Sequence, residues 1–262
     1  MQRILDIDSA ASLRVRHDCL VVERKDEKPV VIPGVEIAVL VLSSRDISLT
    51  SSVLSLLAAS DAAVVSLDGK YMPVGMALPI AANSRHTERL RLQVVQTDMQ
   101  RERFWRRIVE MKIEAQAKHL DDLDRKHELR QLDQTIPEQA EAQAARMYWR
   151  LLFGPEFTRR DSDDESNALL NYGYAILRAL TARSLCKVGL HPALGIHHRN
   201  QYNAFVLADD IMEPFRPVVD RAVLIAGSTE LTKEIKRELL VAVTDAKANV
   251  ESLVQAYYES LS

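Results

Sequence analysis

The stretch KPVVIPGVEIAVLVLSS, Lys28–Ser44, decides the first part of the fold. Pro33-Gly34 divides it into two apolar runs, each too short for a helix and rich in the β-branched residues that suit a pleated backbone. Working outward, SLRVRHDCLVV (Ser12–Val22) and DAAVVSLDGKYMPVGMAL (Asp61–Leu78) have the same character, the second broken by a turn at Asp68-Gly69. The pattern predicts one short helix among these strands, over Leu49–Ala59. Near residue 84 the period changes. Turn residues thin out and apolar positions recur at helical spacing, as at Trp105, Ile108 and Val109, and again at Ala144, Ala145, Tyr148 and Leu152. The fold class is therefore α+β: a small β-rich, sandwich-like N-terminal domain over residues 1–84, then a larger all-α domain over residues 85–262.

Composition is that of an ordinary globular chain, 47% hydrophobic and 27% charged, with no repeat or low-complexity tract. The N-terminus carries acids where a signal peptide needs a basic lead, and the longest apolar run, Ile37–Leu42, cannot span a bilayer. A cytoplasmic protein with no membrane partner is expected. Cys19 and Cys186 are too few for a disulfide scaffold and are read as buried free thiols. A net charge of -3 argues against a generic phosphate-binding surface, yet basic residues cluster from Arg85 to Arg107 and at Arg159-Arg160. By itself, this charge map favours solvated helix faces over a nucleic-acid track.

Several helices carry polar groups on their inward faces. Glu141 shares the stripe of Ala144, Ala145 and Tyr148; Asn167, Asn171, Tyr174 and Arg178 form one ridge; Lys112 and Gln116 lie a turn apart on the helix of Trp105 and Ile108. Each has an ordinary structural reading as a salt-bridged Glu, an exposed polar face or a snorkelling Lys. The stretch GIHHRNQYNAFVLADDIMEPFRP, Gly195–Pro217, shifts the balance. A helix from about Asn203 places Asp209, Asp210 and Glu213 on one side, where like charges repel unless a divalent cation sits among them with His197 or His198 as a further ligand. On that reading, neutralising Glu213 relieves repulsion in the metal-free protein. With neither HExxH nor CxxC present, carboxylates plus one imidazole suit Mg2+ or Mn2+ rather than zinc.

At this point the chain resembles a known family, the CRISPR-associated integrase Cas1, in the variety that accompanies the single-protein effector Cas9 in type II systems. The resemblance rests on DISLT (Asp46–Thr50), FWRRIVEMKIEAQ (Phe104–Gln116), EAQAARMYW (Glu141–Trp149), NALLNYGYAILRA (Asn167–Ala179) and the Gly195–Pro217 stretch. It implies catalytic and metal-holding roles for Glu141, His198 and Glu213. Asp210, Asn203, Asn171 and Tyr174 are implied in support, and Arg106, Arg107, Lys112, Arg159, Arg160, Arg178 and Arg216 as DNA-binding positions. His197 is expected to pack or to touch DNA. Ala142 stands where the family often has glycine, Ala115 where it has asparagine, and the segment after Arg237 is shorter than usual.

The implied reaction is insertion of a spacer at a CRISPR repeat: the 3′-hydroxyl of a fragment attacks a repeat phosphodiester, with DNA hydrolysis when water replaces it. Implied partners are a second copy of the chain paired through the N-terminal domain, a Cas2 dimer bridging two such homodimers, and double-stranded DNA as spacer fragment and leader-repeat. Cas9 and a ring-forming accessory protein are further expected partners. Two alternatives stand beside this reading: a general metal-dependent DNase acting on branched DNA, and a non-catalytic DNA-binding scaffold, which predicts a missing ligand.

Overall fold

The computed structural model describes residues 2–68, 72–159, 165–227 and 230–261; Gly69 of the expected turn and Arg160 lie outside the described residues. The strands are β1 (Arg3–Ile7), β2 (Ala11–Arg16), β3 (Cys19–Glu23), β4 (Val30–Pro33), β5 (Ile37–Leu42), β6 (Ile47–Leu49), β7 (Ala63–Leu67) and β8 (Pro73–Ala77). They form two four-stranded sheets, ordered β1-β5-β7-β8 and β4-β3-β2-β6. In the first, β1, β5 and β7 are parallel and β8 returns antiparallel on β7. In the second, β2, β3 and β4 form an antiparallel meander, with β6 parallel to β2.

The apolar run Ile37–Leu42 is β5, which is buried on both faces. Ile37 and Leu40 pack with Leu13, Leu20 and Val22 of the second sheet, in a core closed by Val53 and Leu57 of helix α1 (Ser51–Ala59). Val39 and Val41 face the other way, into the core of the helices. The first sheet is thus the shared wall of both cores. Cys186 is buried, its thiol pushed up to about 12 by desolvation, whereas Cys19 is only half-buried because it sits at the start of β3.

The helices that follow are α2 (His86–Val95), α3 (Asp98–Asp121), α4 (Pro137–Phe153), α5 (Glu165–Lys187), α6 (Val206–Met212), α7 (Arg216–Ala226) and α8 (Lys233–Glu259). Thr97 and Gln100 start α3 with a reciprocal capping box, and Pro137 starts α4, where its missing N–H costs nothing. α5 is apolar around most of its circumference and runs through the middle of the bundle, against the first sheet, α6, α7 and α8. Arg183 on α5 is wholly buried and donates to the Asp61 carbonyl oxygen, to Glu251 of α8 and to Gln2 beside β1.

α5 and α7 approach closely at Gly173, where an added Cβ would lie 2.4 Å from Val219 Cγ1. Alanine gains about 0.5–1 kcal/mol of helix propensity over glycine, but overpacking costs about 1–3 kcal/mol, so the clash prevails. Gly173→Ala should lower the melting temperature by several degrees, and adding Val219→Ala should recover part of that loss; thermal unfolding of the single and double variants checks both.

Candidate active site

The site is organised around a break between α6 and α7. Pro214 cannot donate to a helical carbonyl and its ring would clash one turn back, so α6 tightens after Met212 into a 3-10 turn, Glu213–Phe215, before α7 begins. In such a turn, positions three apart eclipse, and Glu213 Oε1 meets Arg216 Nη2 at 2.9 Å. The helix begins at Val206, later than the predicted start near Asn203. Asn203 instead forms the turn that leads into it, its Oδ1 accepting from the Phe205 N–H at 2.9 Å while its Nδ2 donates to Asp209 at 2.7 Å.

The three acids of this stretch do not cluster as the spacing suggested. Asp209 is held by a fork from Arg178, with Nε at 2.6 Å and Nη2 at 3.0 Å. Asp210, fully buried, accepts from the backbone N–H groups of Ile196 (2.7 Å) and His197 (3.0 Å), and its Oδ1 lies 2.5 Å from His198 Nδ1. Gly195 permits this wrapping, since a Cβ there would sit 2.6 Å from the His198 carbonyl oxygen and 2.4 Å from Val206 Cγ1. With Nδ1 engaged, His198 has Nε2 left for other chemistry, and the bond to Asp210 raises its basicity against the opposing effect of burial. His197 takes a different role. Its ring stacks on Trp105 at 4.3 Å with planes 5° apart.

Glu141 of α4 and Glu213 converge on Lys112 of α3, whose ammonium is 2.6 Å from Glu141 Oε1 and 2.6 Å from Glu213 Oε2. Burial pushes the Glu213 carboxyl up, but Arg216 and Lys112 outweigh it and hold the group at about 2. The expectation that neutralising Glu213 relieves repulsion is therefore corrected: its neighbours are cations. Lys112 is likewise not a surface cation offered to DNA; desolvation disfavours its charge, and the two glutamates more than restore it.

Among the described residues, no three His, Cys, Asp or Glu side chains are close enough to form a ready-made metal cluster. Two carboxylates nevertheless already meet at a point of positive charge, and Glu213 Oε2 is buried with an ion-pair contact but no well-directed hydrogen bond. Together with the outer nitrogen of His198, that donor set fits a hard divalent cation.

Beneath the site lies a buried polar chain that the sequence reading missed: His119 Nδ1 to Tyr148 Oη at 2.8 Å, Tyr148 to Asp220 at 3.0 Å, and Tyr174 donating to the other Asp220 oxygen. The guanidiniums of Arg216 and Arg159 lie 4.9 and 5.2 Å from the Tyr174 ring centre. The available signal was an acid set between the inward-facing Val219 and Val223. Tyr174 and Asn171 are thus brought under the site, Asn171 accepting from Arg159 Nη2 at 2.9 Å. Arg106 and Arg107 stay exposed on α3, Arg106 donating to the Gln134 and Thr135 carbonyl oxygens. The basic positions therefore do not form one patch: Lys112, Arg159, Arg178 and Arg216 are engaged inside the protein.

Burial pushes the Asp220 carboxyl up to about 7, against the pull of the two tyrosines and Arg216. The folded state thus holds a proton that the unfolded chain, near 3.8, releases; this contribution is full below about 4 and is lost as pH rises through about 7. The melting temperature of Asp220→Asn minus that of the parent should accordingly grow by several degrees between these limits and stay constant above them. Unfolding scans on both proteins across that range provide the check.

Comparison with known proteins completes the picture. The family profile described as CRISPR associated protein Cas1 matches residues 6–235. A CRISPR-associated endonuclease Cas1 from Neisseria meningitidis is 36% identical over 250 residues, covering 91% of this chain and 82% of its own length. A casposase bound to integration product shares the fold, with a TM-score of 0.73 at 17% identity over 99% of this chain and 91% of that one. So does a chain of a Cas6-RT-Cas1–Cas2 complex, at TM-score 0.75 and 18% identity, covering 99% of this chain and 35% of that one. A β-rich N-terminal part followed by a helical bundle, the polar constellation of α3 to α7, and these matches lead to one conclusion: the chain belongs to the Cas1 family.

Proposed function

We propose that this protein is a metal-dependent DNA endonuclease and strand transferase of CRISPR spacer acquisition, joining the 3′-hydroxyl of a spacer fragment to a repeat phosphodiester by transesterification. The observation that carries the proposal is the convergence of Glu141 and Glu213, from separate helices, on one cationic point beside His198. Family membership and the fold shared with a casposase support the integrase assignment over a general DNase. All three expected ligands are present, which speaks against a non-catalytic scaffold.

Mg2+ or Mn2+ held by Glu141, His198 and Glu213 would supply Lewis-acid stabilisation of charge on the departing 3′-oxygen. The chain's own groups do the rest. Asp210 fixes the His198 ring so that Nε2 carries the lone pair, and Asn203 with Arg178 pins Asp209 and so holds α6 in place. Arg216 keeps the Glu213 carboxylate ionised. The attacking group is the DNA hydroxyl, so no protein nucleophile is required: one P–O bond forms as another breaks, and positioning with charge neutralisation carries the acceleration. Double-stranded DNA is the substrate as both fragment and leader-repeat. Inserting a fragment across two strands requires paired sites, which a homodimer formed through residues 1–84 supplies, with residues 85–262 as the catalytic part. A Cas2 dimer joining two such pairs fits the Cas1–Cas2 assembly whose chain shares this fold. Cas9 and the ring-forming accessory protein complete the proposed partners.

The central test is strand transfer on a leader-repeat duplex in Mn2+. Glu213→Gln should retain fragment binding and lose at least about a hundredfold in transfer, the scale of other electrostatic deletions. Its melting temperature at neutral pH should also fall, because two cations lose their carboxylate. His198→Ala should abolish transfer, whereas His197→Ala should keep most of it; equal loss from both would overturn the ligand assignment. Replacing Arg106 and Arg107 together by Ala should lower the salt slope of duplex binding by about two, at roughly 0.9 per phosphate contact.

A further inference from the structure

We infer that Lys112 is the resident counter-cation of this site: its ammonium holds Glu141 and Glu213 together while no divalent ion is bound, and it must give up Glu213 for one to bind. The inference rests on the reading of Glu141, His198 and Glu213 as the metal-holding set and adds how that set is occupied and released.

Each oxygen of Glu213 already faces a cation, Oε1 Arg216 at 2.9 Å and Oε2 Lys112 at 2.6 Å. Lone pairs remain on both oxygens, but a third cation brought to this carboxylate would lie beside two others, and its repulsion with them is relieved when one of the two retracts. Arg216 is poorly placed to leave. Its planar guanidinium lies over the Tyr174 ring at 4.9 Å, and the charges of Asp209 and Asp220 act on it beside that of Glu213. Lys112 presents a point charge on a flexible four-carbon stem, without a stacking surface or a fork to lock it. Its side chain is only 10% exposed, so little water is at hand to replace the carboxylates and the ammonium depends on them. The converse also holds. Glu141 and Glu213 come from α4 and the turn before α7, and Lys112 on α3 is the group that touches both. Removing it leaves Glu141 without this partner and Glu213 with Arg216 alone, so the repulsion between the two carboxylates is less well answered and the fold is destabilised. A divalent ion would relieve the same repulsion more effectively. Ammonium and metal therefore compete for one place, and the affinity of the protein for metal is set below that of the bare carboxylate pair.

Lys112 on this account is a positioning residue, and its signature is a metal affinity that improves when the residue is removed. The experiment titrates Mn2+ into the metal-free protein by calorimetry and follows thermal unfolding in parallel, for the parent, Lys112→Met, Lys112→Arg and His198→Ala. Lys112→Met should melt lower than the parent without Mn2+, bind Mn2+ at least about tenfold tighter, within the usual range of coupling between two sites, and gain more in melting temperature from it. Lys112→Arg should keep the metal-free melting temperature and bind Mn2+ more weakly, because a forked guanidinium engages both carboxylates and retracts less readily. Unchanged or weaker Mn2+ binding by Lys112→Met would make Lys112 a fixed strut and overturn the inference. Should that variant fail to fold, Lys112→Arg decides, and parent-like or tighter binding there overturns it. Parent-like Mn2+ binding by His198→Ala points elsewhere: it removes the reading of the site itself, and this inference with it.

Discussion

A single buried carboxylate, Asp210, is the constraint from which the site follows. With no solvent to satisfy it, it must find donors, and it finds them in the backbone of Ile196 and His197 and in the ring of His198. Those bonds draw the loop before α6 back over the helix, fix which histidine nitrogen faces outward, and leave room only for glycine at position 195. The other histidine is turned against Trp105 by the same wrapping. A fully buried group thus sets the geometry of the two histidines around it.

Charge is balanced in matched sets rather than pooled. Asp209 answers Arg178, Glu213 answers Arg216 and Lys112, and Asp220 is shared by two tyrosines beneath them. Each pairing is made inside the protein, where an unanswered charge is costly, so net charge says little about this chain. Its formal value of -3 conceals an interior where most of the basic residues near the site are already committed.

The fold was largely legible because it depends on periodicity. The two apolar runs around Pro33-Gly34 became β4 and β5, the predicted short helix became α1, and the helical period after residue 84 became the bundle. What could not be read was direction. Spacing put Asp209, Asp210 and Glu213 on one side of a helix, but it could not show that Pro214 ends that helix in a 3-10 turn and swings Glu213 toward α3. Nor could it show that Lys112, equally consistent with a snorkelling side chain, reaches across to two acids distant in sequence. Asp220 escaped notice because a lone acid in an apolar stripe resembles many surface charges until its tyrosine partners are located.

The position of β5 carries a mechanical implication. A strand buried on both faces, with Arg183 riveting α5 to the loop before β7, to the start of β1 and to α8, ties the sheets and the helices into one packed body among the described residues. The molecule can be handled by its sheets as a tool is handled by its grip. A load placed on the strands would therefore pass to the helices through packed side chains and not through a loose joint.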